Sequence, residues 1–120
     1  MRTTWRRVVK TEPLIFLLTL ILSFTCLTDN SFGYSESDLQ KLLSTKECVG
    51  CDLSGADLSG LNLREADLTK ANLSKTNLTK AKLITTNLTE ADLTEATLTE
   101  TTLSGANLKG TNLKNTKGRF

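Results

Sequence analysis

The chain has 120 residues, 15 Lys and Arg against 13 Asp and Glu, no histidine, one proline and 5% aromatic residues. That length suits one domain. The missing histidine excludes Ser-His and Cys-His catalysis, and a net charge of +2 is too small for a protein that grips nucleic acid through a basic surface.

The charge is unevenly placed. Arg2, Arg6, Arg7 and Lys10 precede an apolar run over 14–27. A basic segment followed by such a run is the signature of a secretory signal peptide. The run falls short of the roughly 20 residues that span a membrane comfortably. Ser31 and Gly33 supply the small residues of a cleavage site after Gly33, so 1–33 reads as a signal peptide. The alternative is an uncleaved N-terminal anchor, the chain's one expected link to a membrane. Cys26 fits a lipoprotein signal less well, because Thr25 stands where Gly, Ala or Ser is usual. Beyond Gly33 the chain holds 11 Lys and Arg and 11 Asp and Glu, so the exported part is formally neutral.

A cap is expected over 34–50. Ser37-Asp38-Leu39-Gln40 has the form of a helix capping box. Leu39, Leu42 and Leu43 follow at i, i+3 and i+4, one apolar face of a helix. This predicts a helix over 37–46 whose three leucines cover the residues that come next.

From 51 to 115 a leucine stands at every fifth position: Leu53, Leu58, Leu63, Leu68, Leu73, Leu78, Leu83, Leu88, Leu93, Leu98, Leu103, Leu108 and Leu113. A helix repeats every 3.6 residues and a strand every two, so neither produces this spacing. Two residues before each leucine stands Ala, Cys or Thr, with Leu61 the exception, and the residue between is mostly Asp or Asn.

Units such as Ala56-Asp57-Leu58-Ser59-Gly60, Ala71-Asn72-Leu73-Ser74-Lys75 and Ala91-Asp92-Leu93-Thr94-Glu95 resemble those of the pentapeptide repeat family. The resemblance implies an all-β solenoid, a right-handed quadrilateral β-helix with four repeats per coil, here with a short N-terminal capping α-helix. In that fold the leucines form an inward column and the small residues also face the axis. The other three positions face water, so Asp52, Asp57, Asp67 and Asp92 are expected to have ordinary pKa values. Residues 20 apart then stack, placing Lys70, Lys75 and Lys80 against Glu90, Glu95 and Glu100. A 15-residue coil also yields favourable pairs, such as Lys75 with Glu90. Lys82, in place of Asp or Asn, and an exposed Ile84 mark a candidate contact patch, with sequence drift as the alternative.

Cys48 and Cys51 fall on inward positions of the same register. Three readings stand for the pair: buried free thiols, a structural disulfide tying cap to coil, and a redox-active couple. The Cys-x-x-Cys spacing lacks the second pair or histidines of a zinc site and the βαβ context of a thioredoxin-like motif. At the other end, 116–120 reads as a basic tail with no visible cap, which favours an end-to-end homodimer.

No residue pattern here supplies a catalytic or cofactor-binding site. The leading reading is a non-catalytic exported scaffold that binds an unidentified protein, in a periplasm or thylakoid lumen. Some pentapeptide repeat proteins inhibit gyrase by imitating DNA; export, neutral charge and a short rod count against that alternative. A thiol-redox sensor using Cys48 and Cys51 is the third reading.

Overall fold

The computed structural model describes residues 33–119. The expected signal peptide, its anchor alternative and Cys26 lie outside the described residues, apart from Gly33, and so does Phe120.

Parallel β-bridges join residues 20 apart, from Glu47 with Asp67 through Asn72 with Asp92 to Thr97 with Lys117. One coil is therefore 20 residues, or four five-residue repeats, and the 15-residue stacking is excluded. The bridges start ahead of Cys51 and continue past Asn115, so the coiled region exceeds 51–115 on both sides. Pairing touches one residue in each repeat, and the described residues form bridges rather than extended strands.

Every repeat is closed by a β-turn. The N–H of the small residue donates to the carbonyl of the leucine three before it, as in Ala71 to Leu68 at 3.0 Å and Ala81 to Leu78 at 2.9 Å. The residue just before the small one has positive φ throughout. Gly50, Gly55, Gly60, Gly105 and Gly110 occupy this place near the two ends. Glu65, Lys70, Lys75, Lys80, Thr85, Glu90, Glu95, Glu100 and Asn115 occupy it elsewhere, with φ between 55° and 61°. A positive φ at the third turn residue is the type II pattern, which favours glycine.

Three further backbone bonds per repeat tie coil to coil. Leu73 N–H donates to Asp92 O at 2.7 Å, Lys75 N–H to Thr94 O at 2.8 Å, and Asn72 N–H to Cys51 O at 2.8 Å. Two N–H groups thus point toward the C-terminal end for each one that points back. Between stacked coils these bonds pair the backbone without continuous strands, as burial requires.

The core is the leucine column. Leu53 to Leu98 are buried, together with Ala56, Ala66, Ala71, Ala81, Ala91 and Ala96 beside them. Where Thr replaces Ala, its hydroxyl donates to a leucine carbonyl: Thr86 to Leu63, Thr101 to Leu78 and Thr111 to Leu88, each at 2.7 Å, and Thr76 to Leu73. A leucine carbonyl carries two lone pairs, so it accepts both its turn N–H and this hydroxyl. Leu103, Leu108 and Leu113 are only partly buried. Gly118 then takes the leucine register with φ 115°, where a Cβ would lie 2.6 Å from Thr99 N.

Helix α1 spans Glu36–Thr45 and lies against the first coil. It starts earlier than the capping box at Ser37 predicts. Ser35 is the N-cap, accepting from Asp38 N–H at 3.4 Å, while Ser37 sits inside the first turn. Both serines fit the sequence rule; Ser35 wins because its own N–H donates to Asp52 O at 2.9 Å. The expected three-leucine face is also narrower. Leu42 is fully buried and Leu39 partly so, but Leu43 is 50% exposed.

Candidate functional site

The junction of α1 and the first coil holds the two cysteines. Cys48 takes a leucine position and Cys51 a small inward position, and they are joined as a disulfide with Cα atoms 5.2 Å apart. Both are buried. The carbonyl of Asp38 lies 3.2 Å from Cys48 Sγ, which packs the first turn of α1 onto the bond. The Asp38 carboxylate reaches past it and accepts from Asp52 N–H at 2.9 Å.

The Asp and Asn positions do more than face water. The Oδ1 of Asp67, Asn72, Asn77, Asn87 and Asp92 accepts the N–H of the Ser or Thr two residues on at 2.9–3.2 Å, and its hydroxyl as well. These are Asx turns, the local bonds that short carboxylates and amides make best. The amides of Asn72, Asn77 and Asn112 also donate to Asp52, Asp57 and Asp92 of the preceding coil at 3.1–3.2 Å.

Two of the four aspartates expected to be ordinary are therefore shifted. The hydroxyl of Ser59, then its N–H, hold the Asp57 carboxyl below its usual pKa against an opposing effect of burial, and the Asn77 amide adds a lesser lowering. Thr94 and Asn112 do the same for Asp92. Each donor favours the ionised form. No catalytic acid or base is made this way, because a lowered pKa leaves a weak base.

On the side of the candidate patch this arrangement is reduced to Asn62, whose Oδ1 accepts Arg64 N–H at 3.3 Å. The bridged column there is Asn62, Lys82 and Thr102. Lys82 is exposed, and Ile84 is half-buried rather than fully exposed. Arg64, exposed one coil below Ile84, joins them. Neither the Lys82 ammonium nor the Arg64 guanidinium has an ion pair or a side-chain hydrogen bond among the described residues.

At the turns, Lys70 pairs with Glu90 at 3.5 Å and Lys80 with Glu100 at 3.8 Å. Lys75 and Glu95 stack in the same register without reaching ion-pair distance. Exposed pairs of this kind add little stability. Among the described residues no group of three or more Cys, Asp or Glu is placed to hold a metal, and no helix is long and apolar enough to cross a membrane.

Residues 47–83 and 77–115 match the family model for pentapeptide repeats, in 8 copies. No curated protein matches the chain. Among solved structures it is similar to a pentapeptide repeat protein from the Arabidopsis thaliana thylakoid lumen, with 34% identity and a TM-score of 0.54 over 62% of this chain. It is also similar to HetL, a pentapeptide repeat protein involved in heterocyst differentiation regulation in the cyanobacterium Nostoc. That match has 35% identity and a TM-score of 0.37 over 58% of this chain. A pentapeptide repeat protein of the cyanobacterium Cyanothece matches at 26% identity and a TM-score of 0.34, over 69% of this chain and 94% of that one. The chain spans 48% of the Arabidopsis protein and 37% of HetL.

Proposed function

This chain belongs to the pentapeptide repeat family, and on that ground we propose that it is a non-catalytic exported scaffold that binds a partner protein. In this reading it folds as a right-handed quadrilateral β-helix. Its binding face is the side bearing Arg64, Lys82 and Ile84.

One observation carries the face. Along the Asp and Asn columns the polar side chains are occupied with one another and with the backbone. On the Lys82 side two cations stand uncommitted beside a half-buried isoleucine. An apolar centre with unpaired charges at its rim is the composition of a protein contact, and it suits an acidic partner surface. Export rests on the basic and apolar N-terminus, and a similar protein from a thylakoid lumen agrees with it. The compartment in this reading is a periplasm or a thylakoid lumen.

The test is mild cross-linking of the tagged protein in its own cells, followed by affinity capture and mass spectrometry. A stoichiometric partner is expected with the wild type. It should be lost with Lys82→Glu plus Ile84→Ser and kept with Lys75→Glu. Equal recovery from all three proteins would overturn the assigned face. Recovery of no partner from the wild type would overturn the scaffold reading.

A further inference from the structure

Residues 33–35 are tied to the first coil. Gly33 is held in a left-handed conformation, with φ 84°. Its carbonyl accepts from the Ser54 hydroxyl at 3.2 Å. Tyr34 packs, partly buried, against the core. Ser35 N–H donates to Asp52 O at 2.9 Å. Between the coils that follow, the matching donor is a leucine N–H, as with Leu53 to Asn72 O at 2.9 Å. The segment thus pairs with the first coil as a repeat would. Ser35 is also the N-cap of α1, so the residues that start the helix are the ones that bind the coil.

Gly33 is the residue after which the sequence places a cut, with the small Ser31 two before it. A peptidase that reads small side chains at these places also needs the backbone around the bond, because an extended substrate is held through its main-chain N–H and C=O groups. In the folded protein Gly33 O is given to Ser54 and Ser35 N–H to Asp52, and Gly33 is not extended. A glycine leaves a positive φ without steric cost, but here only after its tie to the coil opens.

We propose, resting on the exported reading above, that the Gly33–Tyr34 peptide bond is a processing site that folding closes. It is hydrolysed while 33–35 stands off the first coil and resists once Ser54 and Asp52 hold the segment. In the step the bond from Gly33 C to Tyr34 N breaks. Water gives its oxygen to the Gly33 carbonyl carbon, which leaves as a carboxylate, and the nitrogen becomes the Tyr34 ammonium. The Ser54 hydroxyl has one proton, shared between Gly33 O and Asp52 Oδ1, which lies 2.7 Å away. After the cut that proton belongs to Asp52 alone. The order of events then selects the form. A cut before docking releases 34–120, whereas docking before the cut keeps the basic and apolar N-terminus attached as an anchor. The released and the anchored protein are two outcomes of one race at one bond.

The experiment offers purified signal peptidase, in detergent micelles, the folded full chain and a peptide of residues 24–40, which has no coil to dock on. Mass spectrometry follows the appearance of the Tyr34 N-terminus. The peptide should be cut at Gly33–Tyr34, and the folded chain at least about tenfold more slowly, because bonds to the coil must open before the enzyme can bind. Full-length Ser54→Ala should be cut faster than the wild type. Ser54→Thr should match the wild type, since Thr94 shows that a threonine hydroxyl fills the same place in this column. Thermal unfolding by circular dichroism confirms that the full-length proteins are folded. A folded chain cut as fast as the peptide, or equal rates for Ser54→Ala and Ser54→Thr, would overturn the closure by folding while leaving the exported reading intact. A peptide left uncut or cut elsewhere would overturn the site itself, and with it the cleaved form of that reading.

Discussion

The carboxylate of Asp38 accepts the backbone N–H of Asp52 at 2.9 Å, joining the first turn of α1 to the first coil. In the coils that follow, the N–H at this position donates to a carbonyl of the coil before, as Asn72 does to Cys51 at 2.8 Å. Asp52 has no such coil beneath it. The Asp38 side chain replaces the missing carbonyl, and Ser35 N–H supplies the matching donor to Asp52 O. A helix end can thus terminate a solenoid edge by imitating one repeat of it.

Asp38→Ala should therefore destabilise the protein by about 1–3 kcal/mol, the cost of leaving a shielded donor without an acceptor. Asp38→Asn keeps an acceptor oxygen and should cost less. Ser35→Ala, which removes the N-cap, should cost about 1 kcal/mol. Urea unfolding of the three variants checks the order. If Asp38→Ala and Asp38→Asn behave alike, the bond to Asp52 contributes nothing that the charge does not.

A second expectation concerns Thr85, which has φ 55° in the turn. A left-handed conformation costs a side-chain-bearing residue about 1–2 kcal/mol, and a β-branched residue fits it worst. Glycine removes that strain but loses about 0.5–1 kcal/mol in chain entropy. Thr85→Gly should be neutral to stabilising, by up to about 1 kcal/mol. Gly110→Ala should go the other way. Its φ is 69°, and an added Cβ would stand 3.3 Å from Glu90 Cγ. Paired melting curves of the two variants decide the matter; a destabilised Thr85→Gly would show that the threonine side chain does more than endure its backbone.

This position also shows what the sequence disclosed and what it hid. The leucine column was legible because inward packing admits one residue type at one spacing. The turn conformation was less so. Gly50, Gly55, Gly60, Gly105 and Gly110 share its register, but Lys, Glu and Thr fill the middle and read as ordinary solvated residues. The Asx bonds were missed for a similar reason. Asp followed two residues later by Ser or Thr looks polar on both counts, and only the fold shows that the two bond each other instead of water. The coil length needed the bridges, since 15 and 20 residues both pair opposite charges. At the cap, Ser35 and Ser37 obey the same rule, and the bond to Asp52 separates them. The candidate patch at Lys82 and Ile84, proposed as a binding face, was visible as a departure from the repeat. Arg64 was not, because its relation to them exists only across coils.

The lowered carboxyls of Asp57 and Asp92 make stability depend on acid. Their folded pKa values lie below the unfolded ones because Ser59, Asn77, Thr94 and Asn112 donate to the ionised forms. Above the ordinary value of 3.8 both states are ionised and the contribution is complete. As the pH falls below it, the unfolded chain takes up protons first, and stability declines until the folded carboxyls are also protonated. Unfolding free energy measured between pH 5 and pH 2 should fall toward acid. Asp57→Asn with Asp92→Asn should flatten part of that slope. An unchanged slope in the double variant would assign the acid sensitivity to other groups.

The disulfide yields the last expectation. It closes a loop of only four residues, Cys48 to Cys51. In the chain-entropy account a loop that short stabilises by about 2 kcal/mol, less than a long one. Yet both cysteines are buried at the point where α1 meets the first coil, with the Asp38 carbonyl 3.2 Å from Cys48 Sγ. Exchange with an outside thiol needs a sulfur that the thiolate can reach. Reduction should therefore be slow in the folded protein and should speed up when the cap is loosened by Asp38→Ala. Thiol alkylation followed by mass spectrometry, across a series of mild reductants, measures both proteins. Slow labelling of the wild type and fast labelling of Asp38→Ala identify a staple guarded by the cap. Equal and rapid labelling of both would instead support the redox-sensor reading, because a sensor must be reached without unfolding its surroundings.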